Sequence, residues 1–174
     1  MNWRTRFAER FGRAFADREQ RTLGREAEHP VVHLDGRAAD ISVLWPELSP
    51  GMEVKREAGQ IVLLQGPHYA FSAEVGKGTI EIITEPQPDL HALKSCYEGA
   101  MAQLLEATAK HDLEVLGYGI QPLTPASLEL MTAKKRYGVL LEVLGNPWLW
   151  FTLTASDQVH VSVGRDEVMA LTNL

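Results

Sequence analysis

The chain has a single cysteine, Cys96, so no disulfide can close within its 174 residues, and a reducing, cytoplasmic setting is expected. No apolar run reaches the roughly eighteen residues a membrane-spanning helix needs, so no membrane partner is expected. Cations are the minority charge: 17 Lys and Arg face 23 Asp and Glu, a net charge of −6. A nucleic-acid binder clusters its cations against phosphates, so that partner class is not expected either. Arg4, Arg6, Arg10 and Arg13 interrupt any apolar core of a secretory signal. There is no internal repeat and no low-complexity linker. What is present is 45% hydrophobic residues, enough for one domain with its own core.

Periodicity sets the elements. Trp3, Phe7, Phe11 and Phe15 recur every fourth residue, so 1–20 reads as an amphipathic helix with arginines opposite its aromatic stripe. Docking on its own domain is the expected fate of that stripe; a membrane surface or a partner helix are the alternatives. The body is then 21–174. Strands are expected over 22–34, 52–57, 60–65, 68–75 and 79–85, the last two joined by a Gly76-Lys77-Gly78 hairpin. A short helix over 38–48 stops at Pro50-Gly51, and a long one runs from Asp89 to His111. After it come a strand over 113–120, a helix over 133–144 capped by Thr132, strands over 148–155 and 157–163, and a last helix near Arg165. Hairpins mixed with long helices predict an α+β fold, a mainly antiparallel sheet with helices on one side.

Four carboxylates sit where strands ordinarily carry apolar or β-branched residues. Glu26 and Glu28 share one face of their strand, because side chains alternate. A hairpin loop over 75–78 pairs residues 74 and 79 and puts Glu74 on the same face as Glu81, one diagonal step away. Like charges gathered on one sheet face repel and resist desolvation, and a hard divalent cation such as Mg²⁺ relieves both penalties. A solvated acidic face is the other reading, and both stand at this point. In "TASDQVHVSV", Gln158, His160 and Ser162 form a polar face on an otherwise apolar strand, where His160 is a ligand or a surface histidine. Lys134, Lys135 and Arg136 at the start of a helix are placed to meet phosphate or carboxylate, or to be a solvated cluster.

Taken in order, these segments resemble the N-terminal half of the catalytic domain of glutamate–cysteine ligases and related carboxylate–amine ligases. "LGREAEHPVV" resembles the opening Gly-x-Glu-x-Glu strand, "AEVGKGTIEIITEP" the second acidic motif, "LMTAKKRYGVLLEVLG" the Met-Pro-Lys-x-Arg-Tyr helix start, and "TASDQVHVSV" a later site strand. The 89–111 helix and "VLGYGIQP" fall between them in the same order, and the likeness covers about residues 20 to 174. It implies a curved antiparallel half-barrel like that of glutamine synthetase, with helices on the convex face. It implies that Glu26, Glu28, Glu74 and Glu81 hold Mg²⁺, with His160 as a further metal or nucleotide contact. Arg136 takes a catalytic place beside the substrates, and Lys134, Arg136 and Gln158 are the expected ATP contacts. The implied reaction activates the γ-carboxylate of glutamate with ATP as an acyl phosphate, which the amine of cysteine, or another small amine, then attacks.

Two departures stand out. Ala133 replaces the motif's proline, and the family's domain continues past the point where this chain stops. The expectation is therefore a fragment, a truncated product or half of a split enzyme, completed by a homo-oligomer or a complementary C-terminal half. The alternatives are a non-catalytic assembly subunit of the same fold that needs a partner chain, and an unrelated α+β domain with an acidic face.

Overall fold

The sheet is organised around its first strand. In the computed structural model, which describes residues 2–13, 15 and 20–173, β1 (Leu23–His33) pairs with β5 (Thr79–Thr84) along one edge. Its other edge is shared: β7 (Asp157–Val161) takes residues 23–27 and β6 (Leu113–Val115) takes residues 31–33. Beyond β5 lie β4 (Tyr69–Ala73), β3 (Gln60–Gln65) and β2 (Glu53–Glu57), giving an open seven-stranded sheet, antiparallel at every pairing. The expected α+β class with a curved antiparallel sheet is what the chain adopts.

The hairpins follow from local chemistry. Ala58 and Gly59 both adopt positive φ, 48° and 80°, the left-handed pair that a tight two-residue β2–β3 turn requires. The β4–β5 loop closes with the Glu74 amide donating to the Thr79 carbonyl at 3.3 Å, which is the 74–79 pairing expected from the sequence. Gly76 in that loop has no room for a side chain, since a Cβ would lie 2.0 Å from the carbonyl oxygen of Thr152.

One face of the sheet is closed by α3 (Leu90–Ala109). Asp89 caps it, its carboxylate accepting from the amides of His91 and Ala92 at 2.8 Å. Val31, Leu64, Phe71, Ile80 and Ile82 form the core with Ala100 and Leu104 of α3, and with Ile41, Leu44 and Leu48. Leu93 is buried as well, and Tyr97 and Met101 partly so.

Four local expectations are corrected. The segment over 38–48 is a 3₁₀ turn, Ile41–Leu44, running into one turn of helix, α2 (Trp45–Leu48). The 113–120 strand ends at Val115, and Ile120 keeps only an isolated bridge to Thr154. Thr132 does not cap α4 (Lys135–Leu144): its amide donates to Val75 and its hydroxyl has no partner among the described residues, and Lys134 stands at the cap position without a side-chain bond to the helix amides. Residues 148–155 are not a strand. Asn146–Thr152 wind as a 3₁₀ helix because Pro147 opens it and Trp148 stacks on Phe151 at 4.6 Å while resting near Tyr137. The terminal helix is short, α5 (Val168–Thr172).

The N-terminal helix, α1, covers Trp3–Gly12. Residues 1, 14 and 16–19 of the expected helix lie outside the described residues. Of the stripe, Trp3, Phe7 and Phe11 are exposed rather than docked, and no residue of α1 is buried, while the half-buried Phe15 lies against Arg165.

Candidate active site

The face of the sheet opposite α3 carries the carboxylates, and strand register explains how they meet. Glu28 of β1 lies opposite Glu81 of β5, which lies opposite Ser72 of β4. Glu74 is one diagonal step away, just past the end of β4. Glu28, Glu74 and Glu81 each offer an oxygen, and these oxygens lie within 4.8 Å of one another. Glu26 occupies the next row of β1, opposite Ile83, with Gln158 of β7 across its other edge.

The cost of this crowding is visible. Glu81 is only 7% exposed. Burial, then the charges of Glu74, Glu26 and Glu28, push its carboxyl up to about 8. Burial also raises Glu28, although the Ser156 amide, donating to it at 2.8 Å, pulls the other way.

Cations face the carboxylates from the start of α4. The Lys134 ammonium is buried beneath the cleft, donating to the Ser72 hydroxyl at 3.3 Å and to the Ala73 carbonyl. Burial lowers its pKa, with Glu74 opposing. Arg136 donates to the Tyr137 hydroxyl at 2.9 Å, and that hydroxyl donates to Glu74 at 3.4 Å. Burial raises the Tyr137 phenol to about 12, so it stays a donor. The carboxylates, Lys134 and Arg136 line a cleft of about 470 Å³ together with Gln158, and Tyr137 braces it from behind through Arg136 and Glu74.

Each anticipated site residue therefore has a definite place. Glu28, Glu74 and Glu81 form the tight cluster, and Glu26, Lys134, Arg136 and Gln158 line the same cleft. His160 stands apart from the three: its ring nitrogen lies 3.5 Å from Glu26 and it borders a neighbouring hollow. Lys135 points elsewhere, towards a separate apolar hollow beside α4. Sequence reasoning missed Tyr137, Glu57, Lys55 and Ser72, which also line or brace the cleft. Lys55 and Glu57 share a face of β2, and that alternation was the available signal.

Residues 22–174 match the sequence model of glutamate-cysteine ligase family 2. The chain belongs to that family. No curated protein matches it. Family membership gives ligase-type chemistry at the family level. No helix among the described residues is long and apolar enough to cross a membrane.

Proposed function

We propose that the cleft is built for ATP-dependent ligation of the γ-carboxylate of glutamate to an amine, with cysteine the first candidate acceptor. The observation that carries this is the triad of carboxylates whose oxygens lie within 4.8 Å, faced by Lys134 and Arg136. Hard oxygen donors at this density suit Mg²⁺, and a protonated Glu81 is what three crowded carboxylates do in its absence. Glu28, Glu74 and Glu81 would hold the ions, with Glu26 and His160 beside them. Bound there, Mg²⁺ neutralises phosphate charge during phosphoryl transfer.

The chain's own groups do the rest. Arg136, oriented by Tyr137, sits where a transferring phosphoryl or a substrate carboxylate meets a fixed planar donor set. Lys134 supplies a buried cation at the floor, and Gln158 an amide at the rim. In the proposed reaction the glutamate carboxylate takes the terminal phosphoryl of ATP and releases ADP. The amine then displaces phosphate and forms the amide, losing a proton. No protein nucleophile enters.

A second reading has its own observation. β7 pairs only with β1 among the described residues, and its Val159 and Val161 are exposed. A strand of a second copy or a complementary chain would cover that edge, making this chain a subunit of a larger site.

Calorimetric titration with Mg²⁺ and a non-hydrolysable ATP analogue tests the first reading. Glu81→Gln should abolish Mg²⁺-dependent nucleotide binding. Glu85→Gln, exposed and bonded to Gln65, should bind like the parent. If both variants bind as the parent does, the metal reading fails. Light scattering with and without a candidate partner chain tests the second.

A further inference from the structure

We infer that α1 is a surface anchor that lays its aromatic stripe into an anionic lipid bilayer. The helix starts well, with the Asn2 side chain accepting from the Arg4 amide at 2.8 Å. No described residue buries its apolar side. Exposure climbs outward from the body, 49% at Phe11, 62% at Phe7 and 70% at Trp3. The rings form one ribbon: Phe7 and Phe11 stack at 5.7 Å with planes 10° apart. The described contacts with the body are at the C-terminal end of the segment, both on Arg165: its guanidinium lies 5.7 Å from the Phe15 ring, and it packs so close to Gly12 that a Cβ there would be 2.8 Å away. The stripe thus leads away from the domain.

Charge selects the partner. With about 100° between successive residues, Arg4 borders the stripe on one side and Arg10, then Arg6 and Arg13, on the other. The single carboxylate, Glu9, lies on the far face. None of these arginines has a carboxylate partner among the described residues, and Arg4 lies over the Trp3 ring at 5.5 Å. A stripe bordered by cations on both flanks fits a plane that presents anions all round a buried apolar strip. A lipid surface does so: rings enter the acyl boundary while arginine stems reach back to the phosphates. The chain as a whole carries −6, so this helix is the part an anionic surface attracts, and the orientation is set. Such a helix lies in the interface and spans nothing.

The test uses the full chain and large unilamellar vesicles, phosphatidylcholine alone or mixed with phosphatidylglycerol. Co-sedimentation should be at least about tenfold stronger with the anionic vesicles and should weaken in high salt. The double variant Phe7→Ser/Phe11→Ser should lose that binding, as should replacement of the four arginines by Gln. Lipid should shift tryptophan emission to the blue in the parent but not in Trp3→Phe. Circular dichroism should show an unchanged body in every variant, since α1 buries no residue. Absent or charge-independent vesicle binding by the parent overturns the proposal, as does a double variant that binds like the parent. A parent dimer that becomes a monomer in the double variant assigns the stripe to a second copy and overturns it too.

Discussion

The two faces of β5 make opposite use of neighbouring residues. Ile80 and Ile82 point to α3 and are fully enclosed, whereas Glu81 between them points to the cleft and is nearly as enclosed among three other carboxylates. The same alternation that gives the sheet its core thus places a carboxyl where ionisation is penalised. The apolar face gains free energy from burial. The acidic face gives some back, because crowded, buried carboxylates are penalised when they ionise.

The comparison breaks first on the apolar side. Phe71→Ala removes a fully buried ring beside Ile82 and should cost about 3–5 kcal/mol in urea unfolding. A loss below about 1 kcal/mol would mean that α3 and the sheet close the gap, and that this face is not the packed core described.

The acidic side should respond with the opposite sign. The Glu81 carboxyl stands at about 8 in the folded chain against 4.5 unperturbed. The folded state therefore holds this proton more tightly than the unfolded state. Its stabilising contribution is complete below about pH 4.5 and is lost as pH rises towards 8. Without metal, Glu81→Gln should stabilise the fold at pH 8, on the order of 1–3 kcal/mol, and change little near pH 4. Thermal unfolding from pH 4 to 9 measures this, and a parent curve as flat as the variant's would refute it. Mg²⁺ binding near pH 7 should also release protons, detectable as a buffer-dependent calorimetric heat.

The two faces were not equally legible. Core and hairpins announce themselves locally: Asp89 before a 3.6-residue period gave α3, and Gly76-Lys77-Gly78 fixed the register that pairs Glu74 with Thr79. The acidic cluster was half legible, because alternation places carboxylates on a face but only sheet order brings β1 beside β5. Tyr137 ends the Lys-x-Arg-Tyr motif, but its bond to Glu74 joins segments 63 residues apart and is visible only in the fold. The 146–152 turn failed for a related reason. Its aromatic run has strand propensity, but Pro147 and the stacking of Trp148 on Phe151 override it.

The contrast between strands extends to β7, which adds no core residue and is tied to β1 by polar contacts. Arg25 donates twice to Asp157, at 2.9 and 2.6 Å, and its guanidinium lies 3.9 Å from the centre of the Tyr97 ring. Both partners of the ion pair are partly exposed, so Asp157→Ala should cost only about 0.5–1 kcal/mol. The larger effect should be local: hydrogen exchange in β7, which carries Gln158 and His160, should accelerate while exchange in β5 does not. Equal acceleration in both strands would show that β7 is not a separately held element.

The smallest expected effect comes from His29, which mirrors Glu81 from the other side of β1. One ring nitrogen meets the Tyr97 hydroxyl at 2.7 Å and the other faces the Leu116 carbonyl at 3.4 Å. Burial is the main cause that holds its pKa below the ordinary 6.5, and the charge of Arg25 adds to it. The depressed value reverses the sign worked out for Glu81: the contribution is present above about pH 6.5 and fades as pH falls through the folded value. Tyr97→Phe leaves the ring but removes its hydroxyl, and should cost about 1 kcal/mol at pH 7.5. His29→Asn should make the fold less sensitive to acid between pH 6.5 and 5, seen as a smaller difference in melting temperature across that interval than in the parent. An unchanged difference would mean that His29 takes up its proton in the fold as readily as in the unfolded chain, and that only the acidic face of β1 carries a displaced titration.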